Sequence, residues 1–317
     1  MANSQPSGVP HLSDADIAVV LGSVSIEEIA NLMRRTFEDL GNGGAATTDR
    51  VRAVAGGHMA SAMAAALPTE GVTGGKLYST VDGRFTFLIA LFSLSGELMC
   101  TMDGAAITEA RTPALSAVAI ADMAATDAVG AAVIGTGREC IPHLKMLAGV
   151  VPGPLRLWGR DHAAVAARCV EAAALGITVD PSASVASAVN GCDVVVTLTS
   201  ADEPVLRSSE VTDRMLICAV GATKPQRCEL DPAIFARAAE VVTDSVTGAR
   251  FECGDLIHAV EADTFEWSRL VGLSDALGKG RQLVRAGIAG PVVFETQGVA
   301  AQDVAMASLV WRRWQQR

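Results

Sequence analysis

The sequence predicts an α/β protein in which a doubly wound parallel sheet is inserted into a discontinuous α+β domain. Three observations carry that prediction. From residue 131 onward, short β-branched runs alternate with alanine-rich helical segments, the grammar of a parallel sheet covered on both faces. Residues 51–102 read instead as hairpin-forming strands behind two helices. A last helical pattern at 299–314 lies beyond the alternating unit and is expected to return to the first domain. The expected domains are 1–125, completed by 295–317, with 126–294 inserted between them.

The elements follow in order. Residues 1–10 read as a loose tail. Ser13 with Asp16, and Ser25 with Glu28, each carry the three-residue spacing of a capping box. The second leads into Ile26, Ile29, Met33, Phe37 and Leu40 at helical spacing and stops in the glycine cluster at 41–44. Residues 85–92 are β-rich, Ser95-Gly96 is a turn, and 97–102 form the return strand, with a further strand at 51–54. Thr108 is expected to cap a long alanine-rich helix over 109–125. Then come strand Ala131–Ile134, the turn Gly135-Thr136-Gly137, helix 139–147, strand Leu155–Trp158, helix 163–175 and a short strand at 177–179. Helix Val185–Val189 and strands 194–198, 215–220 and Glu240–Thr243 complete the alternation.

Composition sets the outer limits. The chain has 317 residues, half of them apolar, which is enough for two cores and excludes global disorder. Apolar stretches are interrupted before reaching the roughly 18–20 residues of a membrane span, and no signal peptide is read at the N-terminus. Seven cysteines scattered singly argue against a disulfide scaffold or a cysteine zinc site, so a cytoplasmic location is expected. The net charge of −10 disfavours nucleic acid as the main partner, yet a few focused arginines would still admit a small anion.

The strongest chemical motif is Gly135-Thr136-Gly137, set between a strand and a helix as in a Rossmann-type dinucleotide site. Gly135 permits the turn, and Gly137 lets pyrophosphate approach the helix N-terminus. The third glycine of the full motif is replaced by Cys140; an ordinary glycine-rich βα turn is the alternative reading. The cofactor-binding set is expected to comprise Gly135, Thr136, Gly137, Arg138, Gly159, Arg160, Thr197, Thr199, Val220 and Gly221. Arg160 stands at the strand end where an acidic residue would select NAD, with Asp161 read as the next helix cap; this favours NADPH over NADH.

Three basic residues outside that unit are candidates for substrate binding: Arg52 after a glycine-rich break, Lys76 after Gly74-Gly75, and Arg111 in the first turn of the long helix. A cation there opposes the helix dipole, and a bound carboxylate would resolve the conflict; snorkelling to solvent is the alternative. The five histidines are far apart, form no metal-ligand spacing, and no metal is expected. Asp244-Ser245 follows a strand and reads equally as crevice-facing or as a cap.

An ordered series of motifs then points to a family. Gly75-Lys76, Met102-Asp103-Gly104, Ile107-Thr108-Glu109-Ala110-Arg111-Thr112, Gly135-Thr136-Gly137, Val220-Gly221-Ala222, Glu229-Leu230-Asp231, Val242-Thr243-Asp244-Ser245, Glu252-Cys253-Gly254-Asp255-Leu256 and the stretch 294–303 resemble the ornithine cyclodeaminase/mu-crystallin family over nearly the whole chain. The resemblance implies a homodimeric NAD(P)-dependent enzyme whose substrate-binding and dimerisation domain is built from both chain ends. It also implies that two arginines and a lysine hold a substrate α-carboxylate; Arg52, Lys76 and Arg111 match them, Arg52 being preferred to Arg50 on motif fit.

One departure bears on the reaction. Cyclodeaminases and related alanine dehydrogenases of the family resemble one another in an aspartate after a late strand; here Gly221-Ala222-Thr223-Lys224-Pro225 places Thr223 there. A hydroxyl orients an imine or a water but does not act as a carboxylate base. The replacement resembles the ketimine-reductase branch and implies reduction of a small, cyclic 2-imino acid such as Δ1-pyrroline-2-carboxylate or Δ1-piperideine-2-carboxylate. Lys76, Thr223 and Arg111 would be catalytic. Ornithine cyclodeamination, turnover of an open-chain imino acid (iminosuccinate, or alanine in the reverse sense), and a mu-crystallin-like NADPH-dependent binding protein are the alternatives.

Overall fold

The computed structural model describes residues 8–81 and 84–317, so most of the expected tail, residues 1–7, lies outside it. The chain divides into two compact units, Met1–Arg111 with Val299–Arg317, and Thr112–Gly298. The first division falls inside a helix and not at residue 125.

The first unit contains β1 (His11–Leu12), α1 (Asp14–Leu21), α2 (Ile26–Asn42), β2 (Ala46–Thr47), β3 (Val51–Ala55), β4 (His58–Leu67), β5 (Val72–Val81), β6 (Arg84–Ser93), β7 (Leu98–Asp103) and the start of α3 (Ala105–Met123). Ser13 forms the capping box with Asp16, and Ser25 caps α2 by accepting from the Glu28 N–H. Each such cap contributes about 1 kcal/mol. Gly43, at φ +84°, closes α2 in the left-handed conformation that glycine adopts most easily. Among the described residues, the strands form one sheet in the order β1-β7-β6-β5-β4-β2, with β3 also on β4; all neighbours are antiparallel except β1 and β7. The long strands β4 and β5 are rich in alanine, glycine and threonine, which weakened their signal in the sequence.

The final helix of the chain belongs to this unit and packs on β4, β5, β6 and α2. Gly74 makes the approach close: a Cβ there would stand 2.6 Å from the Ala90 carbonyl oxygen and 3.3 Å from Val304 of that helix. The helix is buried almost throughout, from Ala300 to Trp311.

The second unit follows α3 with β8 (Ala131–Ile134), α4 (Cys140–Val150), β9 (Leu155–Trp158), α5 (His162–Ala174), β10 (Asp180–Pro181), α6 (Val185–Val189), β11 (Val194–Thr197), β12 (Leu216–Ala219), α7 (Ala233–Arg237), β13 (Glu240–Thr243), α8 (Val246–Glu252), α9 (Gly254–Glu261), β14 (Leu270–Gly272), α10 (Leu273–Gly278) and β15 (Val292–Glu295). The last helix of the first unit is then α11 (Ala300–Trp314). The eight strands are parallel in the order β10-β9-β8-β11-β12-β15-β13-β14. This is the predicted doubly wound sheet. Its β8, β11, β12, β13 and β15 are buried at every position, as strands covered on both faces must be.

Two local expectations change. The long helix starts at Ala105, four residues before the expected start, because Thr108 is no cap: its Oγ1 donates to the Gly104 carbonyl, a back-bond inside a helix. Arg111 is therefore in the second turn, where the dipole argument loses its force. The short strand expected at 177–179 forms instead at Asp180–Pro181, paired with β9.

Candidate functional site

Two sets of residues carry chemistry, one in each unit. In the second unit the order of strands reverses between β8 and β11, the position at which open parallel sheets bind ligands beyond the strand ends. A cleft of about 750 Å³ opens there. It is lined by the turn after β8 (Gly135, Thr136, Gly137), the end of β9 (Trp158, Gly159, Arg160, Asp161) and the segment after β11 from Leu198 to Val205. Gly135 has φ +128°, and a Cβ there would lie 2.9 Å from the Leu198 backbone, so the fold itself demands glycine. At Gly137 a Cβ would meet nothing nearer than 3.8 Å. Protein packing does not require glycine at that position; the absent side chain leaves the cleft open where a pyrophosphate would approach.

Six of the ten expected cofactor residues line this cleft: Gly135, Thr136, Gly137, Gly159, Arg160 and Thr199. Arg138 is exposed on the adjoining turn, its Nε 3.9 Å from a Glu139 carboxylate oxygen. Thr197 and Gly221 turn to an internal group instead. The Thr197 hydroxyl and Gly221 N–H donate to Oε2 of Glu229, at 3.0 and 2.7 Å, and the Thr199 N–H donates to its Oε1 at 2.5 Å. Glu229 is fully buried and ties together the segments after β11 and β12, with Val220 at the start of the second. Burial pushes its carboxyl above the usual range, against the pull of those donors. Asp161 caps α5, accepting from the Ala163 and Ala164 N–H groups, so its carboxylate is committed to the helix while Arg160 stays exposed at the cleft.

Asp244, Ser245 and His143 hold structural positions in this unit. Ser245 caps α8, and the Asp244 carboxylate accepts from the Thr296 hydroxyl and from the Gln297 and Gly298 N–H groups. His143 is buried between the Glu139 carbonyl and the Ser116 hydroxyl. Thr223 is half-buried in the segment after β12, its N–H donating to the Gly221 carbonyl. Among the described residues no group of three or more His, Cys, Asp or Glu is placed to hold a metal ion, and no helix is long and apolar enough to cross a membrane.

The first unit brings Lys76 and Arg111 together. Strand alternation points Lys76 to the face of β5 that α11 covers, where it is 3% exposed. Its Nζ donates to Oδ1 of Asp303 on α11 at 2.9 Å and to Oγ1 of Thr108 on α3 at 2.6 Å, and lies 4.3 Å from the centre of the Phe87 ring. Arg111 Nε stands 3.7 Å from the same Asp303 oxygen. Burial lowers Lys76 to about 8; Asp303 opposes that fall, while the charges of Arg111 and Arg50 add to it.

Arg52 lies on β3, in the cross-strand row of Ser61 and Tyr78. It is exposed there. Arg50, at the entry to that strand, has a buried Nε and lies near enough for its charge to bear on Lys76. Asp303 is the residue that the sequence reading missed. A lone carboxylate in the apolar run Val299-Ala300-Ala301-Gln302-Asp303-Val304-Ala305 was a signal available to it, since a charge on a buried helix needs a partner cation.

A Rossmann-type sheet with an open glycine turn in one unit, and a lysine and an arginine buried around one carboxylate in the other, define the class as dinucleotide-dependent proteins. The chain belongs to the ornithine cyclodeaminase/mu-crystallin family, whose model matches residues 15–317. It is 32% identical over 233 residues to the Δ1-pyrroline-2-carboxylate/Δ1-piperideine-2-carboxylate reductase of Azospirillum brasilense, covering 73% of this chain and 70% of that one. Its fold is similar to that of a solved structure described as a "probable ornithine cyclodeaminase" from Bordetella pertussis, with TM-score 0.88 and 28% identity over 96% of this chain and 97% of that one. It is also similar to Thermococcus litoralis Δ1-pyrroline-2-carboxylate reductase, solved with NADH and L-proline, with TM-score 0.89 and 23% identity over 97% and 98% of the two chains.

Proposed function

We propose that this protein is an NAD(P)H-dependent reductase of the C=N bond of a small, cyclic 2-imino acid, of the Δ1-pyrroline-2-carboxylate or Δ1-piperideine-2-carboxylate type, giving the L-amino acid. The observation that carries this reading is the buried Lys76 and Arg111 arrangement in a family member that has Thr223 in place of a carboxylate base. The nicotinamide, when bound, supplies hydride to the imine carbon. The chain's own residues receive the substrate carboxylate at Lys76 and Arg111, with Arg50 better placed than Arg52 to complete the set. Thr223 orients the imine nitrogen or a water that protonates it. Catalysis by these groups is a matter of position and charge.

Steady-state oxidation of NADPH with a panel of cyclic and open-chain imines tests this. Turnover is expected to be highest with a cyclic 2-imino acid; release of ammonia and proline from ornithine as the preferred reaction would sink the Thr223 argument. Arg160 supports NADPH as the preferred cofactor. An arginine–phosphate pair contributes about 1.5–3 kcal/mol, so Arg160→Ala is expected to raise KM for NADPH by roughly tenfold or more and to leave KM for NADH within twofold. Equal effects on both cofactors would remove the 2′-phosphate from the argument.

The protein is further proposed to be a homodimer. Val51, Ala62, Leu77 and Leu88 lie in one cross-strand row on the face of the sheet opposite α11, and Val51, Leu77 and Leu88 are 65%, 52% and 42% exposed. An apolar row of this kind suits a second copy of the sheet. Leu77→Glu with Leu88→Glu is expected to give monomers by light scattering; an unchanged mass would place the interface elsewhere. Seven cysteines without disulfides fit a reducing compartment, the cytoplasm.

A further inference from the structure

We infer that Asp303 is a positioning residue for the proposed reaction: it holds Lys76 as an ammonium and fixes the spacing between Lys76 and Arg111 that receives the substrate carboxylate. The inference rests on the reading of Lys76 and Arg111 as carboxylate ligands.

The geometry is specific. One oxygen of Asp303 faces both cations, at 2.9 Å from Lys76 Nζ and 3.7 Å from Arg111 Nε, and the carboxylate is wholly buried. Its other oxygen is buried with no hydrogen-bond partner among the described residues. A solitary buried carboxylate is costly unless paired, and so is each cation; the three groups offset one another only together. Lys76, Arg111 and Asp303 sum to a single positive charge, and Arg50 adds a second. The unit thus keeps a net cationic site for an anion while a fixed internal anion prevents the two buried cations from repelling each other into other conformations.

The groups that bear on Lys76 come from each element around it: Asp303 from α11, Arg111 and the Thr108 hydroxyl from α3, Arg50 from the entry to β3, and the Phe87 ring from β6. Of these, Asp303 is the anion. Burial and two neighbouring cations favour the neutral amine, so loss of Asp303 lowers the pH at which the lysine deprotonates. A neutral amine no longer pairs with a carboxylate. Close approach of α11 at Gly74 is what delivers the aspartate to the lysine, which gives the position of the glycine a consequence for the site.

The test is the pH profile of kcat/KM between pH 5.5 and 10, with Δ1-piperideine-2-carboxylate and NADPH, for wild type and Asp303→Asn. Wild type is expected to lose kcat/KM above about pH 8, where Lys76 deprotonates. In Asp303→Asn the alkaline limb is expected to move down by at least one pH unit, with KM taking most of the change and kcat/KM near wild type recovered at pH 5.5–6. Titration of the substrate is common to both proteins and cancels in the comparison. Asp303→Ser carries the same test if the amide is not accommodated. In a Lys76→Arg background, whose guanidinium stays charged throughout, Asp303→Asn is expected to leave the limb in place; an equal shift there overturns the inference. A second readout is independent of turnover. The chain has four lysines, Lys76, Lys145, Lys224 and Lys279, so 13Cε-lysine NMR follows Lys76 directly. Titration of Lys76 unchanged by Asp303→Asn overturns the role of Asp303, whereas failure of wild type to reduce any imino acid overturns the functional reading instead.

Discussion

Arg111→Ala is expected to lower kcat/KM for a cyclic 2-imino acid by roughly 10²–10³-fold, the equivalent of about 3–4 kcal/mol of charge-assisted pairing in a buried site. Lys76→Ala should match it. If the carboxylate is held equally in the ground state and the transition state, KM carries the loss; if the clamp also sets the attack geometry, kcat falls with it. Stability separates the two variants. Removing Lys76 leaves Asp303 buried without its 2.9 Å partner, an arrangement that costs about 3–5 kcal/mol, so Lys76→Ala should also melt several degrees lower. Arg111, at 3.7 Å from the same oxygen, should disturb the melt less. NADPH binding, followed by its fluorescence, should survive both substitutions, because the cleft residues belong to the other unit. Arg50→Ala should cost more activity than Arg52→Ala. The reverse order would restore Arg52 to the site, and full activity in both Lys76→Ala and Arg111→Ala would remove the carboxylate clamp altogether.

The parts of this structure that were legible in the sequence are those fixed over a few residues. The glycine turn after β8, the Asp161 cap and the Ser13 capping box each depend on neighbours within four positions, and each is where the sequence places it. Alternating strands and helices announced the parallel sheet because burial on both faces forces a continuous apolar run. Residues whose role depends on distant partners were read less well. Asp303 meets Lys76 across 227 positions, and nothing local distinguishes it from a solvated carboxylate except its apolar surroundings. Thr108 carried the correct chemistry, a hydroxyl near a helix start, but its partners are the Gly104 carbonyl and a lysine 32 residues away. Thr197, at the end of β11, and Gly221, two residues past the end of β12, read as cofactor contacts from local position alone; that both donate to the buried Glu229 is not legible locally.

Asp255→Asn is expected to raise the melting temperature at pH 8.5, against the usual result for a buried polar substitution. Asp255, Glu229 and Glu295 are buried carboxyls in the second unit, and no cation is paired with any of them among the described residues. Asp255 Oδ1 accepts from the Glu229 and Leu230 N–H groups, but Oδ2, like Oε1 of Glu295, has no hydrogen-bond partner there. Burial first, and then the charge of Glu229, push Asp255 up to about 7. Burial, with Asp255 beside it, pushes Glu295 upward too. For an acid whose folded pKa exceeds its unfolded value, the folded state binds the proton more tightly, so stability is greatest below the unfolded pKa and falls as pH rises through the folded one. The unit should therefore lose stability between about pH 4 and pH 7, on the order of 2–4 kcal/mol when the shift is shared within the cluster. Asparagine keeps an oxygen for the two N–H groups, never ionises, and adds a donor beside unpartnered carboxyl oxygens. A recovery of about 2 kcal/mol corresponds to roughly 4–8 °C for a unit of this size. At pH 4.5, where wild type holds the proton, the two proteins should melt together. Asp255→Ala supplies the contrast: it strands both N–H groups and should melt lower at either pH. Thermal melts across pH 4.5–8.5 decide the matter, and a variant that melts below wild type at pH 8.5 would mean that Asp255 is held as a stabilised carboxylate at the start of α9, favoured by the helix dipole more than burial disfavours it.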